Sequence, residues 1–352
     1  MANCMVDDDK VFSRKIVWLS FFLAVGIVFR HANNIDVYGL DQGFYFWFIK
    51  YVEGFTDLIV PTFFVLSGYL FFQNFSYKKL LTKWKARFWS LVVPYLIWNL
   101  LAYLYYEFIS LIPMVANSMN GIVEPLSLKC LLQTMLWGDH NILWFIRYLI
   151  AYVYVMPIFF VVLKRKGWAG LSLPLILCFV WWSESRCVMY SAFFWLGGFV
   201  GVHYKSLARR RYSAVFLCAS AVVLVVTVAL HVVGYAPKAI GNHNELYCIV
   251  RMFQAMAIWV VADIVLVFAS IPWWAHLSFA IYVMHSMILE SIEKFFLVLI
   301  GRTLIGAIVD FIFAPILTVI IIIVVAWISQ RIVPRAWGIS MGGRGVRKNT
   351  VR

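Results

Sequence analysis

Apolar runs about as long as a bilayer is thick follow one another through almost the whole sequence, and every second gap between them is basic. A hydrocarbon core about 30 Å thick asks for about 20 apolar residues in helical form. Ten such spans are expected, at roughly 15–34, 55–73, 88–112, 142–163, 168–184, 187–204, 213–233, 249–270, 277–298 and 303–329. The fifth is interrupted by Pro174. The runs are continuous, without the ten-residue alternation of a membrane β-barrel. Of the residues, 64% are hydrophobic and 13% charged, against about 25% charged in a soluble domain. The expected fold class is therefore all-α: a polytopic helical membrane protein of about ten transmembrane helices. The connections 35–54, 113–141 and 234–248 are expected to be loops with at most short helices.

Charge sets the orientation. Lys78, Lys79, Lys83, Lys85 and Arg87 follow the second span, Lys164 to Lys166 the fourth, and Lys205 and Arg209 to Arg211 the sixth. The segment after the tenth carries Arg331, Arg335, Arg344, Arg347, Lys348 and Arg352. Basic clusters mark cytoplasmic connections, so both termini are expected in the cytoplasm. A basic tail, 336–352, would follow a single membrane domain, 1–335. The net charge of +14 is thereby topological, and no nucleic-acid partner is expected. The acidic start, MANCMVDDDK, has no basic n-region and predicts no cleaved signal peptide. The six cysteines contain no C-x-x-C pair and read as small buried hydrophobes.

Ionisable groups inside spans are costly and usually face the bundle interior or a wet cavity. The first run, Ile16 to Phe29, ends in Arg30 and His31. At about 1.5 Å per residue its 14 residues reach only about 21 Å, so a true crossing carries the pair to membrane depth. His31 then lies toward the outer end, and Arg30 is expected to anchor at the headgroups. Trp18 and the pair Arg14–Lys15 are expected to mark the inner interface. Asp57, Glu107, His140, Arg147, Glu184, Arg186, Arg251, Asp263, His285, Glu290 and Asp310 are the other ionisable candidates. A cavity lined by His31, His140 and Arg147 is the simplest arrangement. No G-x-x-x-x-G-K-[ST], G-x-G-x-x-G, H-E-x-x-H or G-x-S-x-G pattern occurs, and no metal site is expected. In "FFVLSGYLFF" the small pair Ser67–Gly68 reads first as a point of close helix approach.

Four segments in order, "VPTFFVLSGYLFF" (60–72), "RFWSLVVPYLIWNLL" (87–101), "HNILWFIRYLIAYVYVMPIFF" (140–160) and "LSFAIYVMHSMIL" (277–289), resemble the integral-membrane acyltransferase-3 family. That family consists of ten-helix bacterial enzymes that O-acetylate surface polysaccharides and related molecules. The resemblance implies an acyltransferase of the bacterial cytoplasmic (inner) membrane. It would take acetyl-CoA as donor and co-substrate, and a glycan or lipid-linked sugar as acceptor. It makes His31 the catalytic histidine, whether as general base or as acyl carrier. The family pattern is an arginine, ten residues, then this histidine; here Ser20 stands in the arginine's place. Ser20, Ala24, Ile27 and His31 share one helix face. Arg147, which matches a family arginine, is expected to bring charge to the site as a second catalytic residue. Arg87, Lys83 and Lys85, with Ser20, are the expected donor-binding residues, where CoA phosphates would need cations. His140, Ser67, Tyr282 and His285 are the expected acceptor-binding residues. The donor's acyl group would have to reach across much of the bilayer. Two other readings remain: a proton-coupled transporter or flippase using Asp263, Glu290 and Asp310, and a catalytically silent family member.

Overall fold

The computed structural model describes residues 2–40, 42–111, 127–137, 143–172, 186–233, 244–268 and 270–344. These are helical or in short connections, and no strand occurs among them. In chain order the principal helices are α1 (Ala2–His31), α2 (Gly43–Thr56), α3 (Ile59–Phe72), α4 (Leu80–Arg87) and α5 (Val93–Ser110). They continue with α6 (Leu128–Trp137), α7 (Trp144–Val155), α8 (Arg186–His203), α9 (Ala214–Val232) and α10 (Asn244–Val261). The last are α11 (Ser278–Ile300), α12 (Leu304–Ile332) and α13 (Pro334–Ser340).

Six stretches among the described residues are long and apolar enough to cross a membrane: Asp9–Tyr38, Gly43–Phe72, Tyr77–Ser110, Trp144–Leu163, Cys248–Val267 and Leu304–Ile332. Cys187–His203 and Ala214–Leu230 are shorter apolar helices. The 23-residue α11 carries Glu290, Glu293 and Lys294, which sets it apart from the six. Most of the expected fifth span lies outside the described residues.

The short first run is explained by its start. α1 begins at Ala2, so its 30 residues extend about 45 Å, with Arg14 and Lys15 well inside the helix. Connection 35–54 departs from the expected loop. It holds most of the 14-residue α2, which forms because nothing between Phe44 and Glu53 is a glycine or proline and which leads almost directly into α3. A five-residue π-helical segment, Phe88–Val92, joins α4 to α5 just ahead of Pro94.

Two contacts hold the bundle around its centre. α3 lies along α8 with backbones touching: a Cβ on Gly68 would collide with the Phe194 carbonyl, and one on Gly197 with the Val65 carbonyl. One turn on, a Cβ on Gly201 would lie 2.9 Å from the Tyr69 carbonyl oxygen. Small residues spaced by four let helices approach in this way, which bears out the packing expected of Ser67–Gly68. On the other side α11 packs against both α1 and α12.

The inner-interface marks expected at Lys15 and Trp18 are instead turned into the bundle. Lys15 is 3% exposed, its Nζ is 2.6 Å from Asp263 Oδ1, and it stands over the Trp259 ring at 4.1 Å. Asp263 Oδ2 accepts from the Tyr212 backbone N–H at 2.7 Å. Trp18 is 5% exposed, amid Phe21, Phe268 and Trp274. An ammonium this deeply buried is tolerated because its counter-charge is supplied from 248 residues away.

Two stability measurements follow. Gly68→Val should lower the thermal midpoint of the detergent-solubilised protein by an amount corresponding to about 3 kcal/mol, through overpacking; an unchanged midpoint would show that α3 and α8 part freely. Asp263→Ala should cost about 3–5 kcal/mol by leaving Lys15 buried and unpaired. Adding Lys15→Met to that variant should recover most of the loss, and a double variant no more stable than the single one contradicts the pairing.

Candidate active site

His31 is the last residue of α1, and its ring makes no hydrogen bond among the described residues. It is solvent-accessible and opens into a cavity of about 370 Å³. The floor of this cavity is polar, with Arg30, Thr56 and Asp57; its walls are Trp144, Phe145, Tyr190 and Tyr282. α1, the α2–α3 junction, α7, α8 and α11 thus each contribute a side.

Behind His31 stands His285 of α11, 1% exposed, with ring centroids 5.2 Å apart. The His285 Nδ1–H donates to the Tyr282 carbonyl one turn back, at 2.7 Å. A carbonyl only accepts, so the Nδ1 of a neutral His285 carries its proton and Nε2 is left with a lone pair. That Nε2 is buried without a partner among the described residues.

Arg30 is not the headgroup anchor expected of it. Its Nε donates to Asp57 Oδ1 at 2.9 Å and its Nη1 to Glu53 Oε1 at 2.7 Å. Asn33 Nδ2 (2.6 Å) and Lys50 Nζ (2.8 Å) also reach Glu53. Arg251 Nη2 lies 3.9 Å from Asp57 Oδ2. The polar floor is therefore a lattice of paired charges that fixes the end of α1 to the α2–α3 junction. A carboxylate arriving at the junction, one helical turn from another, supplies the acceptor that a membrane arginine requires.

A second chamber, of about 150 Å³, lies against the first. Ser20, Ser67, Leu91, Leu149, Ser278, Phe279 and Arg344 are among its walls. Phe145 and Tyr282 face both chambers, packed edge to face with centroids 5.7 Å apart at 74°. The expected α1 stripe is realised: Ser20 opens into the smaller chamber, and Ile27 and His31 into the larger. His31 lies eleven positions beyond Ser20, about 16 Å along the helix.

Of the expected site residues, the structure brings His31 and Tyr282 to the larger cavity, with His285 buried behind His31, and Ser20, Ser67 and Tyr282 to the smaller one. Arg147 is elsewhere, its guanidinium over the Tyr148 ring at 5.5 Å, and it lines neither chamber. Lys83 Nζ donates to the Phe71 carbonyl near the end of α3, and Lys85 is exposed. Arg87 is partly buried. His140 lies outside the described residues. Asp263, Glu290 and Asp310 are held apart: Asp263 by Lys15, Glu290 by the Tyr106 hydroxyl at 3.1 Å, and Asp310 by Asn34 Nδ2 at 3.0 Å. No grouping of three metal-ligating side chains occurs among the described residues. Sequence reasoning missed Phe145, Tyr190 and Arg344 as site residues. The first two read as ordinary apolar helix positions, and the third as one of many tail cations.

Among the comparisons with known proteins, one bears on this geometry. The model of the acyltransferase domain family Acyl_transf_3 matches residues 15–329, a span that begins at Lys15, takes in both chambers except Arg344, and ends within α12. No curated protein matches the chain, and neither does any solved structure. The chain therefore belongs to the Acyl_transf_3 acyltransferase family, with multi-pass membrane helices around a histidine-lined cavity.

Proposed function

We propose that the protein O-acetylates a glycan or lipid-linked sugar, with acetyl-CoA as donor and His31 as the catalytic base. The observation that carries this reading is the position of His31, accessible and with no hydrogen-bonding partner among the described residues, in a cavity whose other walls suit a sugar. Trp144 and Tyr190, with ring centroids 5.4 Å apart, offer flat apolar faces. Asp57 and Thr56 offer hydrogen bonds to hydroxyls. Ligand sites combine such walls with a few placed polar groups.

In this mechanism a ring nitrogen of His31 takes the proton of the acceptor hydroxyl as its oxygen attacks the thioester carbonyl. The carbon–sulfur bond then breaks, and the imidazolium returns the proton to the departing thiolate. The His285 ring, 5.2 Å from that of His31, packs against the developing imidazolium and holds its orientation, which makes His285 a positioning residue. The thioester approaches from the smaller chamber, past Phe145 and Tyr282. In the full topology ten helices cross the cytoplasmic membrane of a bacterium with both termini inside. The smaller chamber is then on the cytoplasmic side, where acetyl-CoA is made, and His31 near the outer side, where acceptors are displayed.

The test is transfer of label from radiolabelled acetyl-CoA by purified protein in membranes containing the acceptor, with glycan mass spectrometry to detect acetylated product. His31→Ala should lower the rate by about 10²–10⁴-fold, the usual worth of a general acid–base group, with stability unchanged. His285→Ala should lower kcat by less and leave the KM for donor unaltered. Equal transfer by wild type and His31→Ala would remove His31 from the mechanism.

A further inference from the structure

The wall of the smaller chamber carries a guanidinium that no carboxylate among the described residues pairs with. Arg344 follows α13 through Gly342 and Gly343, both with positive φ (59° and 77°), a conformation that glycine adopts without strain. The turn is pressed onto the π-helical segment: a Cβ on Gly342 would lie 2.7 Å from the Ser90 carbonyl oxygen and 3.0 Å from Pro94. Pro94, four residues beyond Ser90, has no N–H to offer that carbonyl. Arg344 Nη1 donates to it instead, at 2.6 Å. The guanidinium also lies over the Phe279 ring at 4.5 Å and forms part of the chamber wall.

Arg87, at the end of α4, lies outside the chamber wall but three residues before Ser90, the residue whose carbonyl Arg344 holds. Burial first, and this like charge second, bring Arg344 down to about 10, so it remains protonated at neutral pH. Two neighbouring guanidiniums would ordinarily recruit a carboxylate. Among the described residues neither has one within ion-pair distance. Arg344 spends one of its five N–H donors on Ser90. The positive end of the 23-residue α11 adds to the same field: Ser278 and Phe279, its first residues, line the chamber, and no side chain caps it. The hydroxyls of Ser20, Ser67 and Ser278 complete the wall.

We infer that Arg344, Arg87 and the N-terminus of α11 form a binding site for a phosphate-bearing anion, and that Arg344 of the C-terminal segment supplies the cation that Ser20 does not. The nucleotide diphosphate of the donor is the occupant that fits the function proposed above, and the inference rests on that reading for its source, though not for the anion chemistry. Inorganic diphosphate and anionic lipid headgroups share that chemistry.

The experiment is binding to the full-length protein in nanodiscs, by calorimetry, with CoA, pantetheine and inorganic diphosphate as probes. Zwitterionic discs are compared with discs containing anionic lipid. The expected result is binding of CoA and not of pantetheine, weakened about tenfold by Arg344→Gln, the worth of one charge-assisted hydrogen bond. Arg344→Lys should retain part of the affinity, which guards against a variant that simply fails to fold. Ser20→Arg introduced into Arg344→Gln should restore binding, an outcome that a merely structural role for Arg344 would not produce. Diphosphate binding that depends on Arg344, with no binding of CoA, would uphold the anion site while removing the proposed donor. CoA affinity lost only in anionic discs, where lipid competes, would uphold the site with a headgroup as its occupant. Equal affinities in wild type and in Arg344→Gln of wild-type stability would overturn the inference, whatever becomes of acyl transfer.

Discussion

A charged group carried into a helical membrane bundle must find its counter-charge in the protein, and most of this architecture follows from how that requirement is met. Lys15 is paired with Asp263, which ties α1 to the segment beyond α10. Arg30 is paired with Glu53 and Asp57, which ties the opposite end of α1 to α2 and α3. α1 is thereby fixed at two heights, by one ion pair at Lys15 and two at Arg30. The segment between them, Ser20 to His31, cannot slide or rotate without breaking one. That rigidity is what a base at the tip of a helix requires, since a small displacement of a reacting group is costly in rate.

Close packing elsewhere leaves room at the centre. Where Gly68, Gly197 and Gly201 bring α3 and α8 into backbone contact, no side chain separates the helices. The residues of α3 on the other side, Phe63 and Ser67, are free to face the chamber. Around this contact Phe64, Phe71, Phe72, Phe193 and Phe194 form a densely packed aromatic core. The cavities therefore lie between two firm walls, the α3–α8 pair and the α1–α11–α12 group, with α7 closing one side.

The helical class, the presence of membrane-length helices, the role of Gly68 and the stripe from Ser20 to His31 were legible in the sequence, because each depends on local periodicity or on residue size. What was not legible depends on partners far apart in the chain. Nothing local distinguishes Lys15 from an interface lysine; its burial follows from Asp263. Arg30 reads as a snorkelling residue until α2, mistaken for a loop because of its mixed charges, brings Glu53 beside it. Arg147 matched a familiar motif, yet its guanidinium lies over Tyr148, because motif identity fixes a helix and not the direction of a long side chain. Arg344 was counted among tail cations that set topology. Its place in a chamber wall follows from two glycines with positive φ and from a carbonyl that Pro94 leaves without a donor four residues on.

This last case bears on how the proposed donor site is built. A cation on α1 at the Ser20 position would be as rigid as the helix that carries it. A cation on the turn after α13 is as rigid as the docking of that turn, held by Gly342 against Ser90, by Trp98 Nε1 donating to the Ser340 carbonyl at 3.0 Å, and by burial of Trp337 and Met341. An anion bridging Arg344 and Arg87 would join the turn to α4 and relieve the repulsion between the two guanidiniums. Linkage then requires that whatever stabilises the docked turn also raises affinity for the anion, by the same factor. In the proposed reading, donor occupancy and closure of the smaller chamber are one equilibrium, which a serine at position 20 makes dependent on the C-terminal segment.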